Sequence, residues 1–274
     1  MWPFERFWLA GIFLVWAPIA LGAPPNGKPV LGASTTMIAS LLQDIGGKDF
    51  TILTFLPPAS CPGHFDLKPS DVQLLRRTEL IIYHPYQQAL QKALKQHVAP
   101  DHRWLVLPEE KPLTIPVEYI KMGRYLLPRL AERFPERASI LNLLWSKREE
   151  EVHRLQEEMR MKFQAQGASS FPTIVSFRQK SFVEFWNFPV VGAFDEPDGT
   201  SVQKLGELIQ NGRKTGARAI IGNLQSGDRQ AAFIAKKIGV PLVVLSNFPG
   251  AEPGTASYLY LLRTNAFKLL RMLE

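Results

Sequence analysis

The sequence predicts an α/β protein made of two parallel-sheet lobes joined by a long, rigid connector helix, with a cleft between the lobes. Three observations lead there. Short apolar runs alternate with helical stretches from Val30 to Leu107, a pattern that favours a parallel sheet with helices on both faces. The same alternation returns from Phe171 onward. Between the two, Val117 to Gln166 holds no convincing strand, and from Glu136 the pattern stays helical for roughly thirty residues, about 45 Å at 1.5 Å per residue. That exceeds one lobe of this size. The expected boundaries are 1–22 for a leader, 28–114 for the first lobe, 115–167 for the helical connector and 168–274 for the second lobe.

The leader comes first. Arg6 precedes a nearly unbroken apolar run from Phe7 to Gly22, and Ala20 and Gly22 stand three and one residues before a cut ahead of Ala23. This is a secretory signal pattern, too short for a comfortable membrane span; an uncleaved anchor is the alternative. No cysteine stands at the cut, so no lipid anchor is expected. For a bacterial source the expected location is the periplasm.

After the Pro- and Gly-rich "APPNGKP", "VLGAS" reads as a buried strand and "TTMIASLLQDIGG" as a helix stopped by glycine. "FTILTFL" is a second strand. A proline-dense loop, "PASCPGHFDLKPSDV", leads to a short helix for which Ser70 and Asp71 offer caps. "ELIIYH" is a third strand, "YQQALQKALKQHV" a helix, and "RWLVL" closes this half. Pro128 and Pro135 punctuate the middle. The second half runs through "FPTIVSF", "QKSFVEFWN", "PVVGAF", "TSVQKLGELIQNGRKTG", "ARAIIGN", "GDRQAAFIAKKIG" and "PLVVLSN" in strand–helix order, with a last helix from about Thr255.

Composition narrows the function. The net charge of +7 is carried by helix faces that interleave both signs, as in "SKREEEVHRLQEEMRMK", so a nucleic-acid partner is not expected. One cysteine cannot form an internal disulfide, and Cys61 is buried, liganded or reactive. G-x-S-x-G, H-E-x-x-H and a Walker-type phosphate loop are all missing.

In open parallel sheets ligands sit beyond the carboxyl ends of the strands. Those ends carry Ser34, the Cys61–His64 loop, His84, Phe177 to Gln179, Asn223 to Gln225, and Ser246 with Asn247. Cys61 and His64 stand in C-x-x-H spacing and His84 follows the next strand, so the three could meet at one rim. Thiolate and imidazole suit zinc, copper or iron better than magnesium or calcium. The blander readings stay open: a small buried Cys61, an exposed His64, and a His84 that only hydrogen-bonds a neighbouring loop.

The order of elements, the connector and "HFDLKPSDV" resemble the metal-specific solute-binding proteins of ABC transporters, the family that scavenges zinc, manganese or iron. The resemblance also rests on "VLGASTTMIASLLQDIGG", "IPVEYIKMGRYLLPRLAERFPE" and "ARAIIGNLQSGDRQAAFIAKKIGVPLVVLSNFPG". It implies a monomeric binding protein, with no catalysed reaction, that passes its metal to an inner-membrane permease. The usual ligands are altered here. Against the family's D-P-H-x-Y-x-x-x-P-S-D, Cys61 falls on the aspartate and His64 lies one residue past the histidine. "PLTIPVEY" lacks the second histidine, "SFRQK" puts Phe177 or Arg178 at the third, and "LSNFPG" puts Ser246 and Asn247 at the carboxylate. The expected metal set is therefore His64, His84, Cys61 and Asn247, with zinc first and manganese or iron behind it. A cleft that has lost the metal and holds an anionic or small organic ligand through Arg178, Gln179 and Asn247 is the second reading. A thiol-dependent enzyme using Cys61 is the third.

Overall fold

The computed structural model describes residues 27–60, 69–97, 104–195 and 201–274. The leader and the segment holding Cys61 and His64 lie outside them. Each lobe is built on a four-stranded, all-parallel sheet.

In the first lobe the strands are β1 (Val30–Ala33), β2 (Thr51–Thr54), β3 (Leu80–Tyr83) and β4 (Trp104–Val106), in spatial order β2-β1-β3-β4. Helices α1 (Thr36–Gly46), α2 (Pro69–Leu75) and α3 (Gln88–His97) connect them. β3 is buried along its whole length, as expected for the inner strand of a sheet covered on both faces. Thr35 caps α1 by accepting from the Ile38 backbone N–H at 3.3 Å. Ser70 and Asp71 sit inside the first turn of α2 and do not precede it, because Pro69 already occupies the first helical position, where its missing N–H costs nothing.

The middle is helical: α4 (Pro116–Arg133) and the connector α5 (Ala138–Ala165), 28 residues and about 42 Å long. Pro128 lies within α4 and does not end it, whereas Pro135 opens the 3₁₀ turn between the two helices. A Cβ on Gly123 would come within 1.9 Å of the Trp145 ring, so only glycine lets α4 lie this close to α5.

The second lobe holds β5 (Thr173–Ser176), β6 (Val190–Phe194), β7 (Ala219–Asn223) and β8 (Leu242–Leu245), ordered β6-β5-β7-β8. Its helices are α6 (Phe177–Phe185), α7 (Val202–Lys214), α8 (Arg229–Ile238) and α9 (Tyr258–Leu270). The last begins three residues later than Thr255, whose hydroxyl and amide instead close a turn on Glu252.

One hydrophobic core runs through both lobes along α4, α5 and α9. Tyr119 of α4 stacks on Tyr258 of α9 at 3.6 Å, and the Tyr119 hydroxyl donates to Asp44 Oδ2 at 2.7 Å. Arg148 of the connector places Nε 3.0 Å from Asp44 Oδ1, an ion pair out of line for a hydrogen bond. Burial pushes the Asp44 carboxyl up to about 6, with Arg148 and Tyr119 pulling the other way, and burial keeps the Tyr119 phenol well above its ordinary value. A packed, aromatic seam of this kind stiffens the junction.

Candidate functional site

The strand orders locate the site. In each sheet the chain leaves the first strand in one direction and returns on the other side, so the switch points lie between β1 and β3 and between β5 and β7. The residues just past those four strands are Ser34 and Thr35, His84, Phe177 onward, and Leu224 with Gln225. A cleft of about 530 Å³ opens between the lobes there, lined by His84, Tyr86, Glu109 and Glu110 on one side and Phe177, Arg178, Lys180, Asn223, Gln225 and Asn247 on the other.

His84 is 1% exposed and anchored on every side. Its Nδ1 bonds to Glu109 Oε2, its Nε2 lies 2.8 Å from Thr35 Oγ1, and Tyr86 stacks on the ring at 4.9 Å. Its backbone N–H donates to Gln87 Oε1, which also accepts from Ser34 Oγ at 2.5 Å. A carboxylate only accepts, so in the neutral ring Nδ1 carries the proton and Nε2 keeps its lone pair, held by the Thr35 hydroxyl. Carboxylate behind one nitrogen and lone pair on the other is how metal-binding imidazoles are oriented. A metal at Nε2 has to displace the Thr35 hydroxyl.

Glu109 was not expected from sequence. β4 pairs with β3 in the register Tyr83↔Val106, and the Leu107 N–H donates to Tyr83 O at 3.0 Å, which brings the segment after β4 alongside His84. The available signal was the same strand-end rule, applied to "LPEEKP".

The second wall is a web of neutral amides. α6 starts immediately after β5, so Gln179 turns inward on its first turn and is fully buried. Its Nε2 donates to Asn223 Oδ1 and to Asn247 Oδ1, both at 2.9 Å, and Asn247 Nδ2 donates to Asn223 Oδ1 at 2.9 Å. Gln225 accepts from the Asn247 N–H and donates to Ser246 Oγ and, across the cleft, to Pro58 O at 3.0 Å. Gln179 thus backs the wall and does not face the cleft, while Arg178 lines it and is exposed. Asn247 lines it too, half-buried. The sequence reading ends its strand at Phe177 and opens the helix at Gln179, whereas β5 ends at Ser176 and α6 begins at Phe177.

Of the expected metal set, the structure therefore places His84 and Asn247 on opposite walls of one cleft; Cys61 and His64 fall outside the described residues. Among the described residues no three histidine, cysteine, aspartate or glutamate side chains gather closely enough to hold a metal by themselves.

Residues 32–111 match the family model described as the periplasmic component A of a zinc-uptake complex. The first lobe resembles a zinc-uptake protein. The chain matches no curated protein sequence. Among solved structures, ZnuA superposes with a TM-score of 0.76 at 18% identity, covering 90% of this chain and 100% of ZnuA. The periplasmic zinc-binding protein TroA from Treponema pallidum gives 0.77 at 15%, covering 90% and 99%. A cadmium-bound periplasmic metal-binding protein from Candidatus Liberibacter asiaticus gives 0.76 at 15%, covering 90% and 100%. The two-lobed α/β fold is thus that of these binding proteins, in line with the resemblance read from the sequence.

Proposed function

We propose that this chain is a periplasmic solute-binding protein that captures a transition-metal ion, zinc before manganese or iron, in the interlobe cleft and delivers it to an ABC-type permease. It binds and releases its cargo as a monomer and catalyses no reaction. The observation that carries the reading is His84, buried at the switch point of the first sheet with Glu109 behind Nδ1. His64 and Cys61, in the segment joining Ser60 to Pro69, are the further donors, and the Asn247 amide oxygen is the donor from the opposite wall. The likeness of the first lobe to a zinc-uptake component supports the same conclusion.

The test is calorimetric titration of zinc into the secreted, metal-stripped protein, purified without a histidine tag, under chelator competition. One-to-one binding that is lost in both His84→Ala and His64→Ala is expected. Equal binding by the wild type and both variants would sink the reading; manganese and iron titrations then decide whether the cargo is another metal.

A further inference from the structure

We propose that the cargo enters the cleft as a metal ion already chelated by a small carboxylate, with the metal toward the first lobe and the carboxylate toward Arg178 of the second. This rests on the metal-capture reading and names its substrate class. The cleft is polarised. Its first-lobe wall carries two acids, Glu109 with Oε2 on His84 Nδ1 and Glu110 at 3.7 Å from Lys121, and His84 Nε2, which the Thr35 hydroxyl holds until a metal displaces it, while its second-lobe wall presents donors: the Arg178 guanidinium, the Lys180 ammonium and the Ser181 hydroxyl. Glu184 also lines that second wall, but it lies 3.7 Å from Lys180 and offsets it. Arg178 is exposed and has no ion-pair partner among the described residues.

A bare dication is repelled by the guanidinium across the cleft. A metal that carries a carboxylate reverses the sign of that interaction, since guanidinium matches carboxylate in charge and in bidentate geometry. Size points the same way. Metal–ligand bonds are only about 2.0–2.3 Å long, yet the cleft measures about 530 Å³, a volume typical of small-molecule pockets. The amides behind Arg178 are tied into one another, Asn247 Nδ2 to Asn223 and Gln179 Nε2 to both, so the second wall is rigid and short of metal-binding anions. A zwitterionic amino acid shares the polarity of the cleft but needs no metal.

The experiment is equilibrium dialysis of the secreted, metal-stripped protein against radiolabelled zinc with labelled citrate, and separately with labelled L-histidine. At least one of these carboxylate chelators is expected to be retained one-to-one with zinc and not in its absence. Arg178→Gln should weaken that retention about tenfold, the factor for one charge-assisted pair, with partial recovery in Arg178→Lys. The proposal is overturned if zinc is retained and neither chelator accompanies it, if a chelator is retained equally without zinc, or if Arg178→Gln behaves as wild type. Absence of zinc retention in every arm overturns the metal-capture reading along with it.

Discussion

Replacing Glu109 by glutamine keeps the shape of the side chain and removes its charge. In the wild-type protein its Oε2 accepts from Nδ1 of a histidine that is 1% exposed, and the Glu109 side chain is itself only 9% exposed, so solvent screens the pair little. A hydrogen bond to a charged partner contributes about 1.5–3 kcal/mol and a neutral one about 0.5–1.5. The substitution therefore withdraws about 1–1.5 kcal/mol from an imidazole polarised by a metal at Nε2. Since 1.4 kcal/mol is a factor of ten, zinc affinity should fall about tenfold, at the low end of what such outer partners contribute. Chelator-competition calorimetry measures the affinity, with a thermal melt of the metal-free protein beside it. Unchanged affinity in a variant that melts like wild type would refute the role given to Glu109. A lowered melting temperature with unchanged affinity would make the pair a fold contact only.

Two further predictions follow from the lobe junction. Asp44 is raised by burial from 3.8 to about 6 in the folded protein, so its contribution to stability is fully present below about 3.8 and is lost as pH rises through about 6, about 3 kcal/mol in all. Asp44→Asn should flatten that part of the pH–stability curve from urea unfolding; an undiminished slope between pH 4 and 7 would assign it to another group. Gln225→Leu deletes the bond to Pro58 O across the cleft, worth about 1 kcal/mol, together with the bonds to Ser246 Oγ and the Asn247 N–H inside its own lobe, and loss of the cross-cleft bond should speed zinc release trapped by excess chelator about fivefold. Wild-type release would mean that the bond does not help hold the cleft closed.

Much of the architecture is local and was readable without coordinates. β3 is an uninterrupted apolar run because both faces of a parallel strand are covered, and α1 announces itself by Thr35 at its start and glycine at its end. The connector shows as helical periodicity with no breaker from Ala138 to Ala165. Pro128 misled, because packing of α4 along α5 and α1 holds the helix together through a residue that removes one hydrogen bond. The α6 start misled as well: whether "SFRQK" turns or coils depends on where β5 is released from its neighbours, and that is a property of the sheet.

That His84 lines the cleft was legible because strand ends are where open sheets bind, a rule that needs only the order of elements. What it touches was not. Glu109 stands 25 residues away, and only the parallel register of β3 with β4 brings the two side chains together. The amide web has the same origin, since Gln179, Asn223 and Asn247 come from the ends of three strands and meet because β5, β7 and β8 are adjacent. Periodicity and composition thus determined the elements, the two-lobed plan and the rim on which the candidate site lies. Which side chains share that rim, and that its two walls carry opposite polarity, was decided by strand order and lobe packing, because hydrogen bonds and charge pairs depend on distance in space and not on separation along the chain.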